Sequence, residues 1–425
     1  MLTQNGGQLL RDFTERTYQP KVTQVTAGVW QVLGLGHSNA VFIEGASGAL
    51  LVDTLDSLER GRALRGIIRE KTGKEVKTIL YTHGHPDHRG GAGAFADEAP
   101  EITAFAPKSP ALGRSDALQN VYAARGGRQF GYALSDAEAV SQGIGPREGV
   151  ACGEHRAFVP PTTVYAEDRV CREIDGVSLE LARLPGETED QMAVWLPEKK
   201  VLCCGDNYYG CFPNLYAIRG GQYRDITAWL DSLDALAAYP AEYLLPGHTA
   251  AVTGRAAIRE TLVNFKNAID DLLTRTLEGM GQGKSEDELA AEIRLAPAYA
   301  ALPYLGEYYG CAEWTVRAIY NAYLGWFDGN PTHLHPLPPR QRAARTAALM
   351  GGAQAVLAAA RQALGEGEYQ WCLELCDLAA DSCPDGGEAQ AAVRLKAEAL
   401  QKIALQETSA NGRHYYLACA KELLG

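Results

Sequence analysis

The stretch Tyr81-Thr82-His83-Gly84-His85-Pro86-Asp87-His88 constrains the fold of this chain more than any other feature. Three imidazoles and one carboxylate fall within six residues, directly after the apolar run Val76 to Leu80 and before Gly90-Gly91-Ala92-Gly93. A strand that stops abruptly and opens into a turn aims His83, His85, Asp87 and His88 at one point. Imidazole with carboxylate suits zinc, manganese or iron better than calcium or magnesium, which prefer all-oxygen shells. One histidine at a strand end is an ordinary polar loop residue. Four ligand-type side chains in H-x-H-x-D-H spacing predict a metal site.

A single loop cannot close a dinuclear site, so other strand ends must contribute. Pro185-Gly186-Glu187-Thr188 follows the apolar run Leu179 to Leu184, Gly205-Asp206-Asn207 follows Val201 to Cys204, and Pro246-Gly247-His248-Thr249 follows Tyr243 to Leu245. Each repeats the geometry of the first site, an apolar strand ending in a turn that carries one ligand-type side chain.

The surrounding pattern is that of an α/β layered fold. Short apolar bursts over 22–56, punctuated by Gly and Ser, predict a strand meander ending in Val52-Asp53-Thr54, and an amphipathic helix follows from Ser57 to Lys71. After the histidine stretch come a helix into Gly90–Ala96 and a strand at Ile102 to Ala106. Residues 107–160 read as a loop-rich insertion with one helix near Asp116 to Arg125, and its place between ligand segments predicts a substrate-facing role. Strands resume at Thr163 to Tyr165, Val177 to Leu184, Met192 to Leu196 and Val201 to Cys204, followed by a helix at Thr227 to Ala238. From about Ala256 the β-branched runs vanish. Helical spacing takes over in Ile258 to Leu277, Glu286 to Glu292, Thr315 to Tyr323, Gln341 to Leu364, Tyr369 to Ser382 and Gly387 to Leu405. The expected division is a catalytic domain over 1–255 and an all-helical domain over 256–425.

The order H-x-H-x-D-H, Glu187, Asp206, His248 resembles the metallo-β-lactamase superfamily, and Glu187, where most members carry His, resembles its alkylsulfatase branch, the sodium-dodecyl-sulfate hydrolases. Phe42-Ile43-Glu44-Gly45, Asn214 to Gly220, Arg224-Asp225 and Tyr323 to Pro331 with Leu337-Pro338-Pro339 are similar to segments of that branch. The resemblance covers roughly 20–425. It implies an αββα sandwich followed by an all-α dimerisation domain, hence a homodimer. It also implies that His83, His85 and Glu187 hold a first metal, that Asp87, His88 and His248 hold a second, and that Asp206 bridges them. Most of the branch has Glu where Asp206 stands. The sequence ends at Gly425 with no counterpart of the sterol-carrier-like third domain of the long members, so a preference for long alkyl chains is not carried over.

The implied activity is hydrolysis of alkyl sulfate esters to alcohol and inorganic sulfate by a hydroxide on two zinc ions, with manganese or iron also suited to the mixed shell. Metal coordination lowers the pKa of bound water from ~16 toward ~7. Asp87 and Asp206 are then the catalytic carboxylates. Arg219 and Arg224 are expected to fork onto sulfate oxygens, Asn214 to add a donor, and Tyr323 to line the wall, with Arg128 and Phe130 as further wall candidates. The alternative on the same scaffold is a lactonase, phosphodiesterase or thioesterase; an iron redox enzyme and a non-enzymatic helical interaction protein fit the ligand set less well. His37, His155, His333, His335 and His414 read as ordinary surface or capping residues, and Cys203 and Cys204 as buried inert thiols. A net charge of −12 argues against a nucleic-acid partner. No apolar run approaches the roughly 18–20 residues of a membrane span, and the polar stretch Met1 to Pro20 lacks the core of a secretory signal. The expected location is cytoplasmic.

Overall fold

Alternation in the strands decides the layering. In Val41-Phe42-Ile43, Leu50-Leu51-Val52 and Val201-Leu202-Cys203-Cys204, successive side chains enter different hydrophobic clusters, so each sheet buries both faces. The computed structural model describes residues 2–3, 5–109 and 112–425. Its first sheet has seven strands in sequence order: β1 (Lys21–Thr26), β2 (Val29–Leu33), β3 (Ala40–Glu44), β4 (Ala49–Val52), β5 (Val76–Leu80), β6 (Glu101–Phe105) and β7 (Thr163–Tyr165). The second has six, ordered β13-β12-β11-β10-β9-β8: β8 (Arg169–Ile174), β9 (Val177–Arg183), β10 (Met192–Leu196), β11 (Val201–Gly205), β12 (Tyr243–Pro246) and β13 (Val252–Thr253). β1 to β4 form an antiparallel meander, whereas β4 to β7 and the β11–β12 pair run parallel.

Val41, Ile43, Leu50, Val52 and Leu80 from one sheet meet Leu179, Leu181, Met192, Val194 and Cys203 from the other. α1 (Gly6–Thr17) precedes the sandwich, and α2 (Leu58–Thr72) covers the outer face of the first sheet through Leu64 and Ile68. α3 (Pro86–Arg89) and α4 (Gln119–Gln129) lie in the connections, and α5 (Ile226–Ala238) covers the second sheet. This is the αββα sandwich that the family resemblance implies.

The helical part comprises α6 (Arg255–Gly281), α7 (Glu286–Glu292), α8 (Pro297–Ala300), α9 (Ala312–Leu324), α10 (Pro339–Leu349), α11 (Ala353–Glu366), α12 (Tyr369–Ser382), α13 (Gly387–Gln406) and α14 (Ala410–Leu424). Leu262, Phe265 and Ile269 of α6 and Val316 and Ile319 of α9 share one cluster with Trp195, Leu202 and Trp229, so the core continues across residue 255. α10 to α14 bury a separate cluster around Val356, Leu375, Cys376 and Leu400. The single helix expected over Gln341 to Leu364 is two, because Gly351 and Gly352 adopt φ of +94° and +96° and break it. The helix expected into Gly90–Ala96 is a 3₁₀ turn over Ala92–Glu98. No helix among the described residues is long and apolar enough to cross a membrane.

Candidate metal centre and substrate cavity

The ends of β5, β9, β11 and β12 and their following turns bring the candidate ligands to one edge of the sandwich. Beyond β5 the chain turns at His83-Gly84-His85, and Pro86 starts α3 with its φ already helical, which sets Asp87 and His88 on one short turn. Glu187 lies in the β9–β10 turn, Asp206 follows β11, and His248 follows β12. Gly247 is required for that convergence: a Cβ there would lie 2.2 Å from Asp206 Oδ1 and 2.9 Å from His88 Cε1.

One ligand atom each from His83, His85, Glu187 and Asp206 falls within 4.8 Å of the others, and His88, Asp206 and His248 form an adjoining group on the same terms. In the first group His83 Nε2 stands 3.0 Å from His85 Nδ1 and 3.7 Å from Asp206 Oδ2, and His85 Nδ1 stands 3.5 Å from Glu187 Oε2. In the second, Asp206 lies 3.4 Å from His88 Nε2 and 3.2 Å from His248 Nε2; Asp87, which the same criterion groups with His37 and His248, has its Oδ2 3.3 Å and 3.6 Å from those two atoms. Four ligand atoms about 2.1 Å from a tetrahedral ion lie roughly 3.4 Å from one another. The donor set therefore fits a divalent metal, and Asp206 belongs to both of these groups.

Buried partners fix the imidazoles. Asp53, at the end of β4, accepts from His88 Nδ1 at 2.7 Å and from Thr82 Oγ1 at 2.7 Å, and its Oδ1 accepts from Thr82 N–H at 2.8 Å. Thr82 Oγ1 in turn accepts from His83 Nδ1 at 3.0 Å, leaving Nε2 as the nitrogen available to a metal. His248 Nδ1 donates to the His37 carbonyl at 3.1 Å.

The electrostatics favour a cation. Burial alone would raise the Asp206 and Asp87 carboxyls, but the surrounding imidazoles, His248 and His88 foremost, hold both well below the usual range. Burial would likewise raise Glu187, yet the Arg224 guanidinium 2.5 Å from its Oε1, together with His85, lowers it. Burial and the neighbouring His88 keep His83 neutral. Against burial, the same carboxylates draw the His88 and His248 imidazoles upward, so the cluster as a whole attracts positive charge. Asp206 Oδ1 and His88 Nε2 are buried with no hydrogen-bond partner, as atoms reserved for a metal would be.

Residues 33–248 match the family model for the metallo-beta-lactamase superfamily, and residues 285–425 match that for alkyl sulfatase dimerisation. A linear primary-alkylsulfatase from Pseudomonas sp. is 34% identical over 396 residues, a match covering 90% of this chain and 73% of that protein. The chain belongs to the alkylsulfatase branch of the metallo-β-lactamase superfamily. An (R)-specific secondary-alkylsulfatase from Pseudomonas sp. is 32% identical, with 94% of this chain and 62% of that protein covered. The solved structure of a stereoselective inverting sec-alkylsulfatase from Pseudomonas sp. superposes with a TM-score of 0.85 at 30% identity, covering 95% of this chain and 65% of that one. The chain thus spans less than two thirds of the length of the latter two proteins.

As an alkylsulfatase-branch metallohydrolase fold with a divalent-metal site, the chain opens its cluster to a cavity of about 550 Å³. His85, Asp87, Glu187 and Asp206 line it, as do Tyr122, Phe130, Tyr132 and Ile144 from the 107–160 insertion and Tyr309 before α9. Arg219 and Arg224 stand between this cavity and a second opening of about 340 Å³. Arg224 is no surface cation: it pairs with Glu187 and donates to the Asn214 carbonyl. Arg219 donates from its guanidinium only to the neighbouring Gly220 carbonyl at 3.3 Å, and among the described residues no carboxylate lies within ion-pair range of it. Asn214 is 1% exposed with its Nδ2 unpaired, behind the Arg224 contact.

Tyr323 is 51% exposed near the end of α9 and lines neither cavity; the tyrosine that does is Tyr309. Arg128 points away and pairs with Glu422 of α14. His37 is not the ordinary surface or capping residue that the sequence predicts. It is 3% exposed, lines the cavity, and its Nε2 lies 3.9 Å from Asp87 Oδ2, with burial lowering the imidazole to about 4. His414 is also buried, whereas His155, His333 and His335 are exposed. Cys203 and Cys204 are buried free thiols pushed far up by burial. Asp53, His37 and Gln129 are the members of the site that motif spacing misses. Asp53 ends an apolar burst next to the motif strand, which is the one signal available for it; Gln129 leaves none.

Proposed function

We propose that this chain hydrolyses alkyl sulfate esters to alcohol and inorganic sulfate, with two zinc ions held by His83, His85, Glu187, Asp87, His88, His248 and the shared Asp206. The observation that carries the reading is Arg219, a cation without a carboxylate partner among the described residues, on the wall of the cavity onto which the ligand cluster opens. Bound there, zinc supplies hydroxide at neutral pH and positive charge opposite the ester. The chain's own residues do the rest. The Arg219 guanidinium is free to fork onto two sulfate oxygens, orienting the ester and offsetting the charge that the departing sulfate gathers. Arg224 acts through Glu187, keeping it ionised and fixed in place. Asp87 and Asp206 remain ionised beneath the reacting group, and Phe130, Tyr122 and Ile144 supply the apolar wall for the alkyl part. The matched relatives bear the names of enzymes for primary and secondary alkyl sulfates, which supports the class of ester and leaves the chain length open.

Arg219→Ala tests the assignment. A charge-assisted hydrogen bond contributes about 1.5–3 kcal/mol, so kcat/KM for an alkyl sulfate should fall roughly 10- to 100-fold while hydrolysis of a neutral lactone stays within about two-fold. Equal losses on both substrates would remove Arg219 from sulfate recognition.

We further infer a homodimer formed through the helical segment. Leu324, Trp326, Leu334, Leu337 and Leu349 are all exposed along a stretch of the dimerisation match, Trp326 to 73% and Leu349 to 91%, and a second copy would cover them. Light scattering should give twice 45.8 kDa, about 92 kDa; a mass near 46 kDa would contradict the pairing.

A further inference from the structure

Gln129 closes α4 and is completely buried, yet it borders the cavity beside Arg219 and Arg224. Its side-chain oxygen is committed: Oε1 accepts the backbone N–H of Arg219 at 2.8 Å. That bond fixes which way the amide faces, because only its oxygen can accept. Nε2 is therefore the remaining polar atom of the side chain, and it is buried with no hydrogen-bond partner among the described residues. A buried amide donor without a partner is costly, and it calls for an acceptor that the described residues do not provide.

The position of Gln129 is held from two directions. Its carbonyl accepts from the buried His414 Nδ1 of α14 at 3.2 Å, and one helical turn earlier Arg125 Nη2 donates to the Ile218 carbonyl at 2.7 Å. The end of α4 is thereby tied both to the C-terminal helix and to the loop that carries Arg219. Asn214 Nδ2, behind the Arg224 anchor, is a second buried amide donor without a partner. Asn214 lines neither cavity, so the wall itself offers the Arg219 guanidinium and the unpaired Gln129 amide, and an oxyanion with several acceptor oxygens is the ligand that satisfies such a pair.

We propose that Gln129 is a direct anion ligand of the cavity, its Oε1 fixing the Arg219 backbone while its Nε2 donates to an oxygen of the sulfate group. The proposal rests on the sulfate-ester reading and adds a contact that no sequence motif announces. It separates two roles that one substitution would confuse: holding Arg219, and binding the anion.

A double-mutant cycle separates them, with inorganic sulfate as the probe at constant ionic strength and with zinc content and melting temperature followed in every variant. Gln129→Met, similar in length and without the amide, should weaken sulfate binding about ten-fold or more in the otherwise unaltered, zinc-loaded protein. In an Arg219→Ala background, where the guanidinium is gone, it should still weaken binding several-fold. No further loss in that background would show Gln129 to act only through Arg219 and would overturn the proposal. Gln129→Glu keeps an acceptor for the Arg219 N–H and serves where Met unsettles the fold; sulfate affinity at the level of the unaltered protein would overturn the proposal too. A protein that binds sulfate but releases none from esters sinks the sulfatase reading while the cycle still decides Gln129. One that binds no sulfate overturns this proposal outright.

Discussion

Asp53 holds more of the metal centre in place than any residue of the histidine motif. It takes hydrogen bonds from His88 and from Thr82, and Thr82 passes the constraint on to His83, so one carboxylate sets two imidazoles on different sides of the cluster. It adopts φ of +60°, a conformation that Asp tolerates better than most side chains, directly after β4. Loss of such an outer partner typically costs 10- to 100-fold in metal affinity. Asp53→Ala should therefore weaken zinc binding by about that factor in a chelator competition, with Asp53→Asn intermediate; unchanged affinity would contradict the role. At this scale the motif residues were legible because their geometry is local: one strand end and one turn place His83, His85, Asp87 and His88. Asp53 and His37 were not, since they reach the site through the parallel β4–β5 pairing and the β2–β3 loop, which no spacing along the chain encodes.

At the scale of elements, α4 and α14 link the insertion to the helical part. Arg128 pairs with Glu422, Lys421 caps the Ala133 carbonyl, and His414 reaches the Gln129 carbonyl. Burial takes the His414 imidazole down to about 3. An unfolded histidine titrates near 6.5, so the folded chain holds His414 neutral where the unfolded chain would bind a proton. Its contribution is present above about pH 6.5 and is lost as pH falls toward 3, at up to ~1.4 kcal/mol per pH unit. Urea melts from pH 7 to pH 4 should show wild type losing stability relative to His414→Gln as the medium acidifies; parallel curves would contradict a buried neutral imidazole. Most strands and helices were legible because their apolar periods are regular. β8 was missed because its outward residues are polar and exposed, α1 because the N-terminal segment is strongly polar, and the α10–α11 break because two left-handed glycines, not a change of pattern, cause it.

For the whole molecule, the αββα sandwich brings four strand ends to one edge, and the helical part completes its outer layer through α6 and α9 before continuing as a separate bundle. The α/β layering was readable from the order of strands and helices, and the αββα arrangement from the family resemblance. The shared core across residue 255 was not, because composition changes there while packing does not. The proposed zinc-dependent hydrolysis stands or falls on sulfate release from a series of alkyl sulfates of increasing chain length, with zinc measured in the same preparation. It predicts release by protein carrying roughly two zinc ions per chain, and loss of release on chelation with recovery when zinc is restored. A fully metallated protein that releases no sulfate from any member of the series would contradict it.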